Sequence, residues 1–116
     1  MEDWFKDTFL KQVNLQERVK CTFNDGELPN VVDMYGAATG MIIEIGEMLQ
    51  CDTRWKKTVT GSVKKPVYDK DKFLEELSDV FIYFMNTIIY AGITIDDFKK
   101  AVTKKQINVN RRFDLQ

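Results

Sequence analysis

The chain has 116 residues, 44% of them hydrophobic and 30% charged. This suits one folded domain over 1–116 and excludes both a disordered tail and a (β/α)₈ barrel, which takes roughly twice the length. The 17 Lys+Arg and 18 Asp+Glu leave a formal charge of -1, which argues against a general nucleic-acid binder. Histidine is absent, so a Ser-His-Asp triad, a Cys-His pair and imidazole-held zinc are all ruled out.

In chain order, the acidic start Met1-Glu2-Asp3-Trp4-Phe5 has neither a basic nor an apolar leader pattern. Asp3 is placed to cap a first helix through Phe5, Phe9, Leu10, Val13 and Val19. Asn24-Asp25-Gly26 reads as a turn, and Pro29 suits the opening of a second helix that runs to about Leu49 through Val32, Tyr35, Ala38, Met41 and Ile45. Gly36, Gly40 and Gly46 lie inside it. Each costs about 1 kcal/mol against alanine, a cost expected to be offset by close approach of another helix.

From Asp52 to Tyr68 the periodicity breaks into a loop or short hairpin. Asp69 or Asp71 caps a third helix through Phe73, Leu77, Val80, Phe81, Phe84 and Ile88, ended by Gly92. After Asp79 it is apolar on nearly every face, which calls for cover from its own domain or a second subunit. Its apolar run, Val80 to Ala91, falls short of the ~18 residues of a bilayer span. Thr94-Ile95-Asp96-Asp97 starts a fourth helix that carries Phe98, Val102 and Ile107 and ends near Arg111. An all-α domain follows. Two isolated cysteines, Cys21 and Cys51, fit reduced thiols in a cytoplasmic protein with no membrane partner.

Two pairs of carboxylates carry the chemistry. Glu44 and Glu47 are three apart on the second helix, and Glu76 and Asp79 three apart on the third, so each pair shares a helical face. Both border apolar stripes, where a carboxylate is costly unless it meets a cation. Four oxygen donors facing one another suit Mg²⁺ or Mn²⁺ rather than zinc. Solvated surface acids are the competing reading. Glu75 points about 100° away from Glu76 and is expected in solvent or behind the ligands.

A cationic set complements the acids. Lys104, Asn108 and Arg111 share one face of the fourth helix and can grip phosphate oxygens. Just after the first acidic pair, Trp55 can stack on a base while Lys56 meets a phosphate. Asn14 and Gln12 on the first helix and Asn86 on the third offer amides to a base edge, and Asn86, set in an apolar helix, needs a partner.

Together these motifs resemble the all-α nucleoside triphosphate pyrophosphohydrolase superfamily, which holds MazG-like enzymes and dimeric dUTPases. The matching segments are Glu44-Ile45-Gly46-Glu47-Met48, Trp55-Lys56, Glu75-Glu76-Leu77-Ser78-Asp79-Val80 and the tail from Lys104 through Asn108 to Arg111. The resemblance implies a four-to-five-helix bundle assembled as an oligomer. It also implies Mg²⁺ (or Mn²⁺) on Glu44, Glu47, Glu76 and Asp79, with Glu47 activating water. Lys56, Lys104 and Arg111, assisted by Asn108, would neutralise the polyphosphate. The implied reaction splits an NTP between its α- and β-phosphates into a monophosphate and pyrophosphate.

The chain departs from the pattern at Ile43, where MazG enzymes often carry Glu, and at Ile82-Tyr83-Phe84, where dimeric dUTPases carry a histidine-containing aromatic segment. The Gly-Glu element and the tail lean towards dUTPases, and the compact size towards MazG. A homodimer or a dimer-of-dimers tetramer is expected. The alternative is a non-catalytic helical interaction module.

Overall fold

The computed structural model describes residues 3–23, 31–54 and 67–113, with the side chains of 20–23 excepted. The sequence expectations for the 24–26 turn, Pro29, Trp55, Lys56 and the Cys21 side chain lie outside the described residues. Among the described residues there are four helices: α1 (Trp4–Phe23), α2 (Val31–Gln50), α3 (Lys70–Tyr90) and α4 (Ile95–Phe113). No strand occurs among the described residues, and the architecture is all-α.

Local chemistry sets the helix ends. The Asp3 carboxylate accepts from the Lys6 amide at 3.0 Å, Asp69 from the Lys72 amide at 3.1 Å, and the Thr94 hydroxyl from the Asp97 amide at 3.1 Å. Each satisfies an amide with no partner inside its helix. Gly92, at φ 74°, ends the third helix in the left-handed region where a Cβ is penalised.

The helices α2 and α3 form a tightly packed antiparallel pair, and α1 lies against α3. Their register shows in facing positions: Gly40 meets Tyr83, Glu47 meets Glu76, and the charge of Asp33 reaches Tyr90. Close approach is real at Gly40, where a Cβ would sit 2.5 Å from the Tyr83 ring. At Gly36 and Gly46 a Cβ would meet nothing within 4 Å, so packing offsets the helix cost at only one of the three glycines.

The core gathers at the far end of α3. Met85 is fully buried, and Phe9, Ile88, Ile89 and Ile95 surround it. Phe5, Phe81, Phe84 and Phe98 ring this centre with edge and stacked contacts 5.3–6.4 Å apart. The expected burial of α3 all round therefore holds for its last two turns, whereas Ile82 stays 39% exposed. The larger uncovered apolar face is on α2, where Val32 is 77%, Ile42 68% and Ile43 58% exposed. No single described helix is long and apolar enough to cross a membrane.

Below the pair, the segment from Asp52 to Tyr68 closes at its neck. An antiparallel bridge joins Asp52 to Tyr68; the Thr53 amide donates to Val67 O at 2.7 Å and the Asp69 amide to Cys51 O at 3.0 Å. Arg54 grips Asp52 through two nitrogens at 2.8 and 2.7 Å, and its guanidinium lies 3.9 Å from the Tyr68 ring centre. The loop or short hairpin expected over Thr58 to Pro66 lies outside the described residues.

Candidate metal centre

The carboxylates lie on the seam between α2 and α3, beyond the apolar core. The i, i+3 spacing turns Glu44 and Glu47 towards α3, and the antiparallel register brings Glu76 opposite them. Glu44, Glu47 and Glu76 each offer an oxygen, all within 4.8 Å of one another. Glu44 and Glu76 are half-buried, whereas Glu47 and Asp79 are exposed. Asp79 stands at the rim, close enough for its charge to act on Glu44. Glu75 is exposed.

The electrostatics are those of crowded acids. The Glu44 carboxyl is pushed up from 4.5 to about 7, first by burial and then by the adjoining carboxyls of Glu47, Asp79 and Glu76. Glu44 Oε2 and Glu76 Oε2 are buried without a hydrogen-bond partner. Buried carboxylate oxygens normally find a donor or a cation. The donor set is all oxygen, the chemistry of a hard divalent cation.

A cavity of about 500 Å³ opens beside the cluster, lined by Glu47, Gln50, Cys51, Val67, Asp69, Lys72 and Glu76. Cys51, Val67 and Asp69, the chain neighbours of the Asp52–Tyr68 bridge, contribute to its wall. Lys72 is a residue that the sequence reading passed over. Its signal was there, four residues before Glu76 on the same face of α3. Gln50 was passed over too, and carried no comparable signal. The Cys51 thiol donates to the Glu47 carbonyl at 3.6 Å, so it stays with the backbone of α2.

The other candidates fall elsewhere. Lys104, Asn108 and Arg111 do share a face, and together with Lys100 and Ile107 they line a groove of about 550 Å³ on α4. None of them lines the carboxylate cavity. Asn86 finds its partner inside the fold: its Oδ1 accepts from Gln12 Nε2 at 2.8 Å, and Gln12 is buried. This pair docks α1 on α3, with Tyr90 donating to Gln16 nearby. Asn14 is exposed, and its carbonyl accepts from Arg18 Nε at 3.4 Å. Comparison with protein-family models, curated proteins and solved structures returns no match.

Proposed function

We propose that the chain is a Mg²⁺-dependent nucleoside triphosphate pyrophosphohydrolase, with Mn²⁺ as an alternative metal. It would cleave a (d)NTP, dUTP among the possible substrates, between the α- and β-phosphates to a monophosphate and pyrophosphate. One observation carries this reading: two buried carboxylate oxygens, Glu44 Oε2 and Glu76 Oε2, have no hydrogen-bond partner and sit in an all-oxygen cluster. A cation is the partner such a cluster lacks.

Glu44, Glu47 and Glu76 would hold the ion, with Asp79 completing the set from the rim. A divalent ion so held neutralises polyphosphate charge and lowers the pKa of a bound water. Glu47, exposed and on the cavity wall, would orient the attacking water and take its proton. Lys72 would meet a phosphate oxygen from the opposite wall. Histidine is not needed for this chemistry. Lys56 keeps its proposed phosphate contact on the resemblance, and Trp55 and Asn14 keep theirs to the base on residue type alone, whereas the Asn86 amide oxygen is engaged by Gln12.

The uncovered apolar face of α2 supports a homodimer or a dimer of dimers. It is also the feature that favours the second reading, a helical interaction module. A panel of NTPs and dNTPs with Mg²⁺ or Mn²⁺, assayed for pyrophosphate, separates the two. Turnover of at least one nucleotide, abolished by Glu47→Gln, is expected. No turnover with either metal would refute the enzyme reading.

A further inference from the structure

We infer that Arg54 is a positioning residue of the proposed metal centre: held between Asp52 and Tyr68, it pins the end of α2 to the start of α3 and keeps Glu47 within coordinating reach of Glu76. The inference rests on the function proposed above, since the ion is what the two carboxylates would share.

The cluster needs such a tie. Glu44, Glu47 and Glu76 offer oxygens within 4.8 Å of one another, and like charges at that spacing push their helices apart. On the core side the close contact of Gly40 with Tyr83 resists this, one turn from Glu44 along α2 and one turn from Asp79 along α3. On the other side Glu47 lies one turn before Cys51, and Glu76 two turns after Asp69. Cys51 and Asp69 are joined across the neck, so the carboxylates are bracketed between a packed seam and the neck.

Two routes cross the neck. Along the backbone, the Asp69 amide donates to Cys51 O at 3.0 Å, and the Asp69 carboxylate caps α3 by accepting from the Lys72 amide at 3.1 Å. The Val67 amide donates to Thr53 Oγ1 at 2.7 Å and the Thr53 amide to Val67 O at 2.7 Å. The second route runs through side chains. The Asp52 carboxylate accepts from the Arg54 amide at 3.1 Å, from its Nε at 2.8 Å and from a terminal nitrogen at 2.7 Å, a two-point grip that fixes the guanidinium plane. That plane lies across the bridge on Tyr68, 3.9 Å from the ring centre, and the Tyr68 ring meets Phe73 in the first turn of α3 with 6.2 Å between centroids. The Asp52 side chain is only 20% exposed, so this pair is better shielded than an ordinary surface ion pair.

Arg54 itself does not line the carboxylate cavity, whereas Cys51, Val67 and Asp69 around it do. Two of its guanidinium nitrogens are engaged by Asp52. It therefore acts through the cavity wall rather than on a bound phosphate.

Mn²⁺ affinity, read from the free-ion EPR signal without nucleotide, tests this by its sign. Arg54→Met removes a positive charge, so a field effect alone would tighten Mn²⁺ binding. Loss of the tie should instead weaken it by about 10-fold, the lower end of what residues supporting metal ligands contribute. Asp52→Asn should weaken it similarly, and the combined variant should lose about 10-fold rather than the roughly 100-fold of independent sites. Arg54→Lys keeps the charge without the fork; it should also bind Mn²⁺ more weakly than wild type, and it carries the test if Arg54→Met fails to fold. Unchanged or tighter binding by Arg54→Met, wild-type affinity in Arg54→Lys, or additive losses would each overturn the inference while leaving the proposed function standing. So would a fall in kcat/KM of Arg54→Met at unchanged Mn²⁺ affinity, the mark of a direct phosphate contact. A wild-type chain that binds no Mn²⁺ would refute the metal reading itself, and the inference with it.

Discussion

Replacing Gly40 with alanine tests the seam that brings the carboxylates together. The new Cβ would lie 2.5, 2.8 and 3.0 Å from three carbons of the Tyr83 ring. Unstrained carbon contacts fall at about 3.5–4.0 Å, so α2 or the ring must give by roughly 1 Å. Alanine returns about 1 kcal/mol of helix propensity, but overpacking costs about 1–3 kcal/mol. Gly36→Ala, with nothing within 4 Å, collects the propensity without the clash. Gly40→Ala should therefore be less stable than Gly36→Ala by about 1–3 kcal/mol, read by urea unfolding as a lower midpoint at constant slope. Glu44 lies one turn along from Gly40, so the same shift opens the carboxylate cluster, and a misplacement near 1 Å costs about 10²-fold in rate. Pairing Gly40→Ala with Tyr83→Leu should restore part of both losses. Equal stabilisation by the two alanines would refute the close approach of α2 and α3.

Two further outcomes follow from the site. Folded Glu44 keeps its proton up to about pH 7, against 4.5 for its ordinary value. Between these values the folded state binds more protons, so metal-free stability should fall as pH rises from about 4.5 to 7. Thermal unfolding of Glu44→Gln should lack this slope, and millimolar Mg²⁺ should stabilise the wild type more at pH 8 than at pH 5; a slope unchanged in the variant would contradict the assignment. Lys72→Ala should leave unfolding unchanged while lowering kcat/KM for the nucleotide by about 10- to 100-fold, the worth of one charge-assisted phosphate contact. An unaltered kcat/KM would remove Lys72 from the site.

Short-range chemistry was legible in the sequence. Asp3, Asp69 and Thr94 act as caps because a cap needs only the next three residues, and the acid pairs share faces because helical periodicity requires it. Tertiary choices were not legible. Asn86 signalled a missing partner, but only the docking of α1 shows that Gln12 supplies it. The basic face of α4 was readable, whereas its direction depends on the Gly92 turn and on where Phe98 finds aromatic neighbours. Lys72 shared a face with Glu76 in the sequence, but only the fold sets it in one cavity with Glu47, Cys51 and Val67.

In the proposed function Glu44, Glu47 and Glu76, with Asp79, hold a divalent cation. Titrating the protein with Mn²⁺ and reading the free-ion EPR signal at pH 7.5 tests it most directly. Saturable loss of signal is expected, with at least one ion bound per chain, abolished when Glu44→Gln and Glu76→Gln are combined in a folded variant. A free-ion signal untouched by the wild-type chain, or equal binding by the double variant, would contradict it.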